Sequence, residues 1–201
     1  MKKTIISCVL FLTAVTAFSQ TPMKTAAEAK LSASDLAVKI ADRILATTTY
    51  EFKNTKTGKT YKSVKNLPLD MNVKVACKYN NWHYTNGVTH IALMELADKT
   101  GAKKYDDYVL KNMNFVFNEG NLDFFKKQYE QAMKNEGWYG VRKLSWHMIF
   151  RGKRLDDNGP MGASLIDLQI KHPNNSFLNY INETAEHLNY GEPRLADGTI
   201  A

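Results

Sequence analysis

Two adjacent carboxylates, Asp156 and Asp157, stand just before a Gly-Pro break and are well suited to acid–base chemistry. Beyond the break the chain turns apolar at helical spacing, through Met161, Leu165, Ile166 and Leu168. We therefore predict that a helix starts at Asp157, Asn158 or Gly159, with an Asp or Asn N-cap and Pro160 in the first turn. Carboxylates at the start of a helix can face a cleft and act there. The alternative is that the pair has a structural role alone, capping the helix and complementing its dipole.

A second cluster, formed by Trp82, His83 and Tyr84, combines aromatic faces with polar tips. Such residues stack on sugar rings as readily as they fill a packed loop, so the cluster is a candidate binding surface. His90 follows His83 by seven residues, roughly on the same helical face. No third ligand stands nearby in the sequence, and we therefore predict no metal site.

Apolar periodicity predicts the helices that must position these residues. Helices are predicted over 35–48, 87–100, 103–117, 122–133, 157–171 and 175–190, with a loop and room for a short hairpin at 50–70 and no assignment for 138–150. Gly101 is expected to end the second helix, and Asn174 or Asn175 to cap the last one. Within the unassigned segment, Trp146 and His147 can either line the same rim or fill the core.

The sequence contains an internal repeat. A shift of 72 residues places Gly87 on Gly159, Leu93 on Leu165, Leu96 on Leu168, Tyr108 on Tyr180 and Val109 on Ile181. Each copy has a polar head, a helix, a tight turn and a second helix, and stacked helical hairpins form a solenoid or a closed toroid. Because equivalent positions of a repeat lie on one face, we expect the heads 82–86 and 156–158 to share a rim where a site is assembled.

Length and composition fit one globular domain, with 201 residues, 44% of them hydrophobic, and a net charge of +7. Residues 1–19 combine a basic start, an apolar stretch and a small-residue cleavage site ending at Ser19, which predicts a signal peptide and an exported protein. Residues 20–34 are interpreted as a lead-in and residues 35–201 as the folded domain. No later stretch is long enough to span a membrane, and Cys77 has no partner for a disulfide after cleavage.

The positive charge is dispersed, and neither an arginine cluster nor a helix-turn-helix pattern indicates a nucleic-acid partner. A mildly basic exported protein suits acidic substrates such as uronic-acid saccharides, although an ordinary basic surface explains the same charge. The repeat by itself fits an enzyme and equally a non-catalytic helical-repeat binding module of the cell envelope. The aromatic rim beside two carboxylates favours the enzyme, because a binding scaffold has no need of that pair.

Three segments carry a family resemblance: Trp82-His-Tyr-Thr-Asn-Gly-Val88, the Thr-Gly-x-x-x-Tyr turn at 100–105, and Leu155-Asp-Asp-Asn-Gly-Pro-Met161. They resemble the unsaturated glucuronyl and rhamnogalacturonyl hydrolases of glycoside hydrolase families 88 and 105, over roughly residues 75–201. The resemblance implies an all-α fold, an (α/α)6 toroid with its site at the mouth of the barrel. It implies no cofactor, a small unsaturated uronic-acid oligosaccharide as substrate, and hydration of the C4=C5 double bond left by a polysaccharide lyase.

Carried over by position, the resemblance implies roles for the candidate residues. Asp157 is expected to contact the unsaturated ring and assist proton transfer, with Asp156 as the alternative if the register differs by one. Trp82, His83 and Tyr84 are expected to line the substrate. The family's main general acid/base, an Asp in a Trp-x-Asp-x-x-Met segment, has no counterpart in the sequence. We therefore expect about half of the toroid, truncated at the C-terminus and inactive or impaired by itself.

Overall fold

The computed structural model describes residues 32–151 and 155–200, and for 155–157 it describes the backbone alone. The predicted signal peptide, 1–19, and most of the predicted lead-in, 20–34, lie outside the described residues. No helix in the described ranges is long and apolar enough to cross a membrane.

Contacts divide the chain into two units, Met1–Asp35 and Leu36–Ala201. In the described end of the first unit, the Ser32 hydroxyl accepts a hydrogen bond from the backbone N–H of Asp35 at 3.1 Å. This bond caps the start of a helix, because a serine hydroxyl can accept from a backbone N–H group that has no partner within the helix. The second unit contains most of this helix and all the other elements.

Regular structure in the described residues consists of six α-helices and three short strands. The helices are α1 (Ala33–Thr47), α2 (Tyr84–Thr100), α3 (Lys104–Val116), α4 (Glu119–Val141), α5 (Leu155–Lys171) and α6 (Asn175–Glu186). The strands are β1 (Phe52–Asn54), β2 (Thr60–Tyr61) and β3 (Val73–Val75), in one antiparallel sheet of order β2-β1-β3. A 3₁₀ turn covers His147–Phe150 and a π-helical turn covers His187–Gly191. The fold is mostly helical, as predicted, with one small sheet.

The small sheet begins in the stretch 50–70, where the sequence leaves room for a short hairpin. β1 and β2 form that hairpin, and β3 pairs with the other edge of β1. The side chain of Asn54 holds the connecting turn, because its Oδ1 accepts hydrogen bonds from the backbone N–H groups of Lys56 and Thr57, each at 3.0 Å. Phe52, on the central strand, is fully buried.

The internal repeat corresponds to two helical hairpins, α2–α3 and α5–α6. Gly87 near the start of α2 lies against Pro160 near the start of α5. Near the other ends of the same helices, Lys171 Nζ lies 2.8 Å from an Asp98 carboxylate oxygen. The two helices therefore run parallel, and both polar heads lie at the same end, as the repeat predicts. Gly101 ends α2 in the left-handed conformation (φ 69°), also as predicted.

The predicted start of α5 is wrong. The helix begins at Leu155 rather than within 157–159, and Pro160 lies inside it instead of in the first turn. The buried side chain of Asn158 does not act as a cap, because its Oδ1 accepts a hydrogen bond from Trp82 Nε1 at 2.9 Å. The local pattern predicts that the Asn158 side chain caps the helix, but in the structure it bonds to Trp82, which is distant in the sequence.

The start of α2 and the extent of α4 also differ from the prediction. α2 begins at Tyr84 rather than at Gly87, because His83 adopts an extended conformation and serves as the N-cap. α4 is longer than predicted at both ends and reaches Val141 across a break at Gly137 (φ 58°, ψ −148°). Both differences extend helices into segments that carry the candidate site.

Apolar spacing identifies the buried faces of two helices well. On α3 the apolar residues at helical spacing are buried throughout, at Tyr105, Tyr108, Val109, Met113 and Val116. On α5, Met161, Leu165 and Leu168 are fully buried, but Ile166 is 46% exposed. Consecutive helical residues point about 100° apart, so Ile166 cannot share the face of its buried neighbour.

His90 on α2 makes the stability of the protein depend on pH. Burial lowers the pKa of its imidazole from 6.5 to about 4. Between these values the unfolded chain binds a proton that the folded chain does not, so we expect the free energy of unfolding to fall by about 3 kcal/mol as the pH drops through this window. Urea unfolding at pH values on either side of the window measures the change.

A His90→Gln variant serves as the control, because it keeps a polar side chain that does not titrate. We expect this variant to lose most of the pH dependence between about pH 6.5 and pH 4. An equally steep dependence in the variant would show that other groups cause it.

Candidate functional site

The heads of α2 and α5 are joined by a buried hydrogen-bond chain. Trp82 Nε1 donates to Asn158 Oδ1 at 2.9 Å, and Asn158 Nδ2 donates to the backbone carbonyl of Arg151 at 3.3 Å. Behind this chain the two helices approach closely, since a Cβ at Gly87 would lie 2.4 Å from the carbonyl carbon of Pro160. Arg151 and the first turn of α5 are therefore both bonded, through Asn158, to Trp82, which precedes α2.

Trp82 lies in the core, where it is fully buried. Its ring meets Tyr180 edge-on with the ring centroids 5.0 Å apart, and it meets Phe117 in the same way at 6.4 Å. The indole therefore supports the rim from inside and orients Asn158 through its N–H group. Its predicted contact with a substrate stays a prediction.

His83 and Tyr84 are exposed at the rim. His83 Nδ1 accepts a hydrogen bond from the backbone N–H of Thr85 at 3.4 Å and also pairs with the Thr85 hydroxyl at 2.9 Å, which fixes the ring as the cap of α2. The rings of His83 and Tyr84 lie 4.7 Å apart and are tilted by 37°. Both rings are accessible to a ligand, and their predicted role in binding substrate stays a prediction.

Asp156 and Asp157 lie in the first turn of α5. Their side chains lie outside the described residues, so their predicted acid–base role also stays a prediction. Their backbone directly precedes Asn158, the residue that joins the two heads. The structure thus places the carboxylate segment and the Trp-His-Tyr segment beside each other.

The segment without a predicted structure, 138–150, packs beside the α2 head. Asn81 Oδ1 accepts a hydrogen bond from the backbone N–H of Trp146 at 2.7 Å, and Trp146 has a left-handed φ of 62°, which is uncommon outside glycine. Trp146 is fully buried and fills the core, whereas His147 is half-buried and lines a cleft. Of the two alternatives left open by the sequence, filling the core therefore applies to Trp146 and lining the rim applies to His147.

A cleft of about 310 Å³ opens beside the α2 head, and we call it the arginine cleft. It is lined by Asn81, Trp82, His83, Trp138, Arg142, His147, Met148 and Arg151. Trp138, Arg142 and Arg151 are not among the residues predicted from the sequence, because they lie in or next to the unassigned segment. Trp138 and Arg142 are four residues apart, a spacing that puts two side chains on one face of a helix. The sequence does not predict a helix there, because the predicted helix ends before Gly137 and α4 continues past it.

A second cleft, of about 420 Å³, reaches Asn158 from α4 and α6. Its polar lining includes Glu130, Glu183 and His187. Of the five predicted site residues, none is among those described as lining this cleft. The arginine cleft is therefore the better candidate for the site that the two heads assemble.

The described residues contain no group of three side chains able to hold a metal ion together. His83 is exposed at the rim, whereas His90 is buried and its Nε2 accepts a hydrogen bond from Asn112 Nδ2 at 3.3 Å. The two imidazoles, which the sequence places roughly on one face, therefore belong to different environments.

Helical hairpins that bring aromatic and cationic side chains to one end define a helical-repeat protein with a candidate ligand site at that end. The sequence model of Glycosyl Hydrolase Family 88 matches residues 53–201, and the chain belongs to this family. By this membership it is a glycoside hydrolase, as the resemblance implies. None of the curated proteins matches the chain.

The bond between the two heads can be tested with Trp82→Phe. The variant keeps an aromatic ring but leaves the buried Asn158 Oδ1 without its donor, so we expect it to lower the free energy of unfolding by about 2 kcal/mol. Chemical denaturation of Trp82→Phe, Asn158→Ala and the double variant measures the coupling between the two residues. If the two effects simply add, the hydrogen bond does not join the heads energetically.

Proposed function

We propose that this protein hydrates the C4=C5 double bond of unsaturated uronyl oligosaccharides released by polysaccharide lyases. The observation that carries the proposal is the bond from Trp82 Nε1 to Asn158 Oδ1. It brings together the two segments that most resemble the unsaturated uronyl hydrolases, and family membership supports the same class of enzyme. The substrate and the roles of individual residues rest on the resemblance.

The reaction differs from ordinary glycoside hydrolysis, in which a carboxylate pair acts at the anomeric carbon. A carboxylic acid first protonates C4, and the positive charge that develops at C5 is shared with the ring oxygen. Water adds at C5 while a carboxylate removes its proton, which gives a hemiketal. The hemiketal opens to a ketone at C5, and the hemiacetal left at C1 breaks down to release the aglycone sugar. No oxidant, reductant or cofactor is needed for these steps.

We assign the proton transfer to Asp157, with Asp156 as the alternative, and the contact with the sugar ring to the aromatic cluster of Trp82, His83 and Tyr84. A carboxyl group serves as an acid when burial or a neighbouring carboxylate raises its pKa, and two adjacent aspartates supply such a neighbour. His83 and Tyr84 are the members of the cluster that are exposed at the rim.

The proposed activity requires a test on the protein as its native organism makes it. The related hydrolases use a second Asp as the main general acid/base, and its Trp-x-Asp-x-x-Met segment has no counterpart among these 201 residues. We therefore propose that the chain by itself is inactive or impaired. The intact mass of the native protein is measured first, because a mass well above 22.8 kDa would indicate further chain in which to look for this Asp.

The assay follows the ultraviolet absorbance of the conjugated C=C–carboxylate group of unsaturated disaccharides. We expect the absorbance to disappear as the sugar is released, and we expect saturated disaccharides of the same composition to remain intact. Cleavage of the saturated sugars at an equal rate would contradict hydration as the mechanism. Binding of unsaturated sugars without any loss of absorbance would favour the non-catalytic binding module.

We also propose that the protein is exported, either to the periplasm or outside the cell. The basic start, apolar stretch and small-residue site of residues 1–19 support this location. N-terminal sequencing of the protein from the cell envelope or the medium tests the proposal. We expect the first residue to be Gln20, and an intact Met1 on cytoplasmic protein would contradict it.

A further inference from the structure

We propose that the arginine cleft is a carboxylate subsite that binds the acidic group of a uronic acid, with Arg151 as its main ligand. The preference for an anion follows from the geometry of the cleft. The choice of a sugar acid as the ligand rests on the proposed function. The two parts can therefore be tested separately.

The contacts of the Arg151 guanidinium leave room for a planar anion. Its guanidinium carbon lies 3.8 Å from the centroid of the Trp138 ring, so the group stacks on the indole face. Its Nη1 atom is buried and has no hydrogen-bond partner among the described residues. Buried donors normally find a partner, and a stacked guanidinium leaves its in-plane N–H groups free for a two-point bond to a carboxylate.

The charges that line the cleft also favour an anion. Arg142 follows α4 and lies on the same wall, where its backbone N–H bonds the Trp138 carbonyl at 3.1 Å. Within the described part of the chain, no acidic residue lines the cleft and no carboxylate pairs with Arg142 or Arg151. Two guanidinium groups in one concave site raise the local concentration of negatively charged ligands.

The position of the cleft connects this subsite to the joined heads. The backbone carbonyl of Arg151 accepts the hydrogen bond from Asn158, which in turn bonds Trp82. The cleft also includes His83 at the rim. At about 310 Å³ it lies near the lower end of ligand pockets, which run from roughly 300 to 1,000 Å³, and this size suits a single sugar ring.

A carboxylate bound to Arg151 would therefore anchor the sugar ring in the arginine cleft, beside the joined heads. Arg151 then acts as a binding and positioning residue, and it takes no part in proton transfer. This role predicts that replacing Arg151 weakens the binding of acidic sugars and leaves the binding of neutral sugars unchanged.

The test is a calorimetric titration of the full chain with glucuronate, glucose and glucose 6-sulfate. Glucuronate and glucose differ at C6, where one carries a carboxylate and the other a hydroxymethyl group, and neither can be hydrated. We expect glucuronate to bind at least about tenfold more tightly than glucose, and Arg151→Met to remove that difference. Arg151→Lys should lose most of it, because an ammonium group neither stacks nor forms the two-point bond.

Arg43→Met is the matched control, because Arg43 is exposed on α1 and the arginine cleft does not include it. We expect this variant to bind all three sugars as the unchanged protein does. Circular dichroism shows whether each variant is folded, and Arg151→Lys decides the question if Arg151→Met does not fold.

Equal affinity for glucuronate and glucose would overturn the subsite, and so would unchanged glucuronate binding in both Arg151 variants. Tighter binding of the sulfate ester than of the carboxylate would also overturn it, because the cleft would then select sulfate. Failure of the proposed function gives a different result: glucuronate still binds through Arg151, but unsaturated disaccharides are not hydrated.

Discussion

Gly87→Ala is expected to lower the free energy of unfolding by about 4 kcal/mol, although alanine is the better helix former by about 1 kcal/mol. The added Cβ would lie 2.4 Å from the carbonyl carbon of Pro160, 2.5 Å from the backbone N of Met161 and 2.6 Å from the Pro160 carbonyl oxygen. These are backbone atoms and cannot rotate away, so α2 and α5 must separate. Thermal or urea unfolding, followed by circular dichroism, measures the loss.

Gly162→Ala is the matched control for this prediction. Gly162 also lies in a helix, but an added Cβ would meet no heavy atom within 4 Å beyond its chain neighbours and the nearby backbone of its own helix. We expect the control to be unchanged or up to about 1 kcal/mol more stable, as helix propensity alone dictates. Equal stability of the two variants would show that the close approach at Gly87 does not hold the hairpins together.

Separation of the two helices should also affect ligand binding. The bond from Trp82 to Asn158 lies at the same end of α2 and α5 as Gly87, so any Gly87→Ala protein that still folds should lose it. We therefore expect this variant to bind sugars more weakly than Gly162→Ala. Measuring both the free energy of unfolding and the affinity for sugars connects the packing of the helices to the geometry of the rim.

Asp157→Asn is expected to reduce the hydration of unsaturated disaccharides by about a hundredfold or more, the usual effect of removing a general acid–base group. An amide has nearly the shape of the carboxyl group but cannot donate or accept the required proton at C4. The fold should be unaffected, because the substitution changes one atom at the start of a helix. The assay uses protein expressed from the native gene and follows the ultraviolet absorbance of the substrate.

Two variants accompany this test. Asp156→Asn decides which member of the pair acts, since the position of the acid depends on the register of the resemblance. Asp167→Asn is the control, because Asp167 is exposed further along the same helix. Full activity of both Asp156→Asn and Asp157→Asn would remove the pair from the mechanism and leave the family assignment in place.

Local sequence patterns were sufficient for the architecture of the helical hairpins. The apolar spacing of Tyr105, Val109 and Met113 marks one buried face of α3, because side chains three or four residues apart share a side of any helix. Gly101 ends α2 for an equally local reason, since its positive φ favours a residue without a Cβ. The repeat follows from the same short-range signals and correctly pairs α2–α3 with α5–α6.

The candidate site was predictable only in part. The sequence identified the two heads and the reason for their meeting, because equivalent positions in stacked repeats lie together. It could not identify the start of α5, since Asn158 looks like a cap until its tertiary partner Trp82 is known. The exposed residues His83 and Tyr84 and the buried Trp82 are likewise indistinguishable in the sequence, where all three are polar-tipped aromatics.

The sequence by itself thus determined the helical class, the repeat, the family and the carboxylate pair. Tertiary structure alone decided which side chains surround a ligand-sized cleft. Arg151 stacks on Trp138 across the turn that follows α4, and no periodic pattern joins them. Periodicity reports which face of an element is apolar, whereas a binding site depends on the distances between elements, and these are set by packing contacts such as that of Gly87 with Pro160.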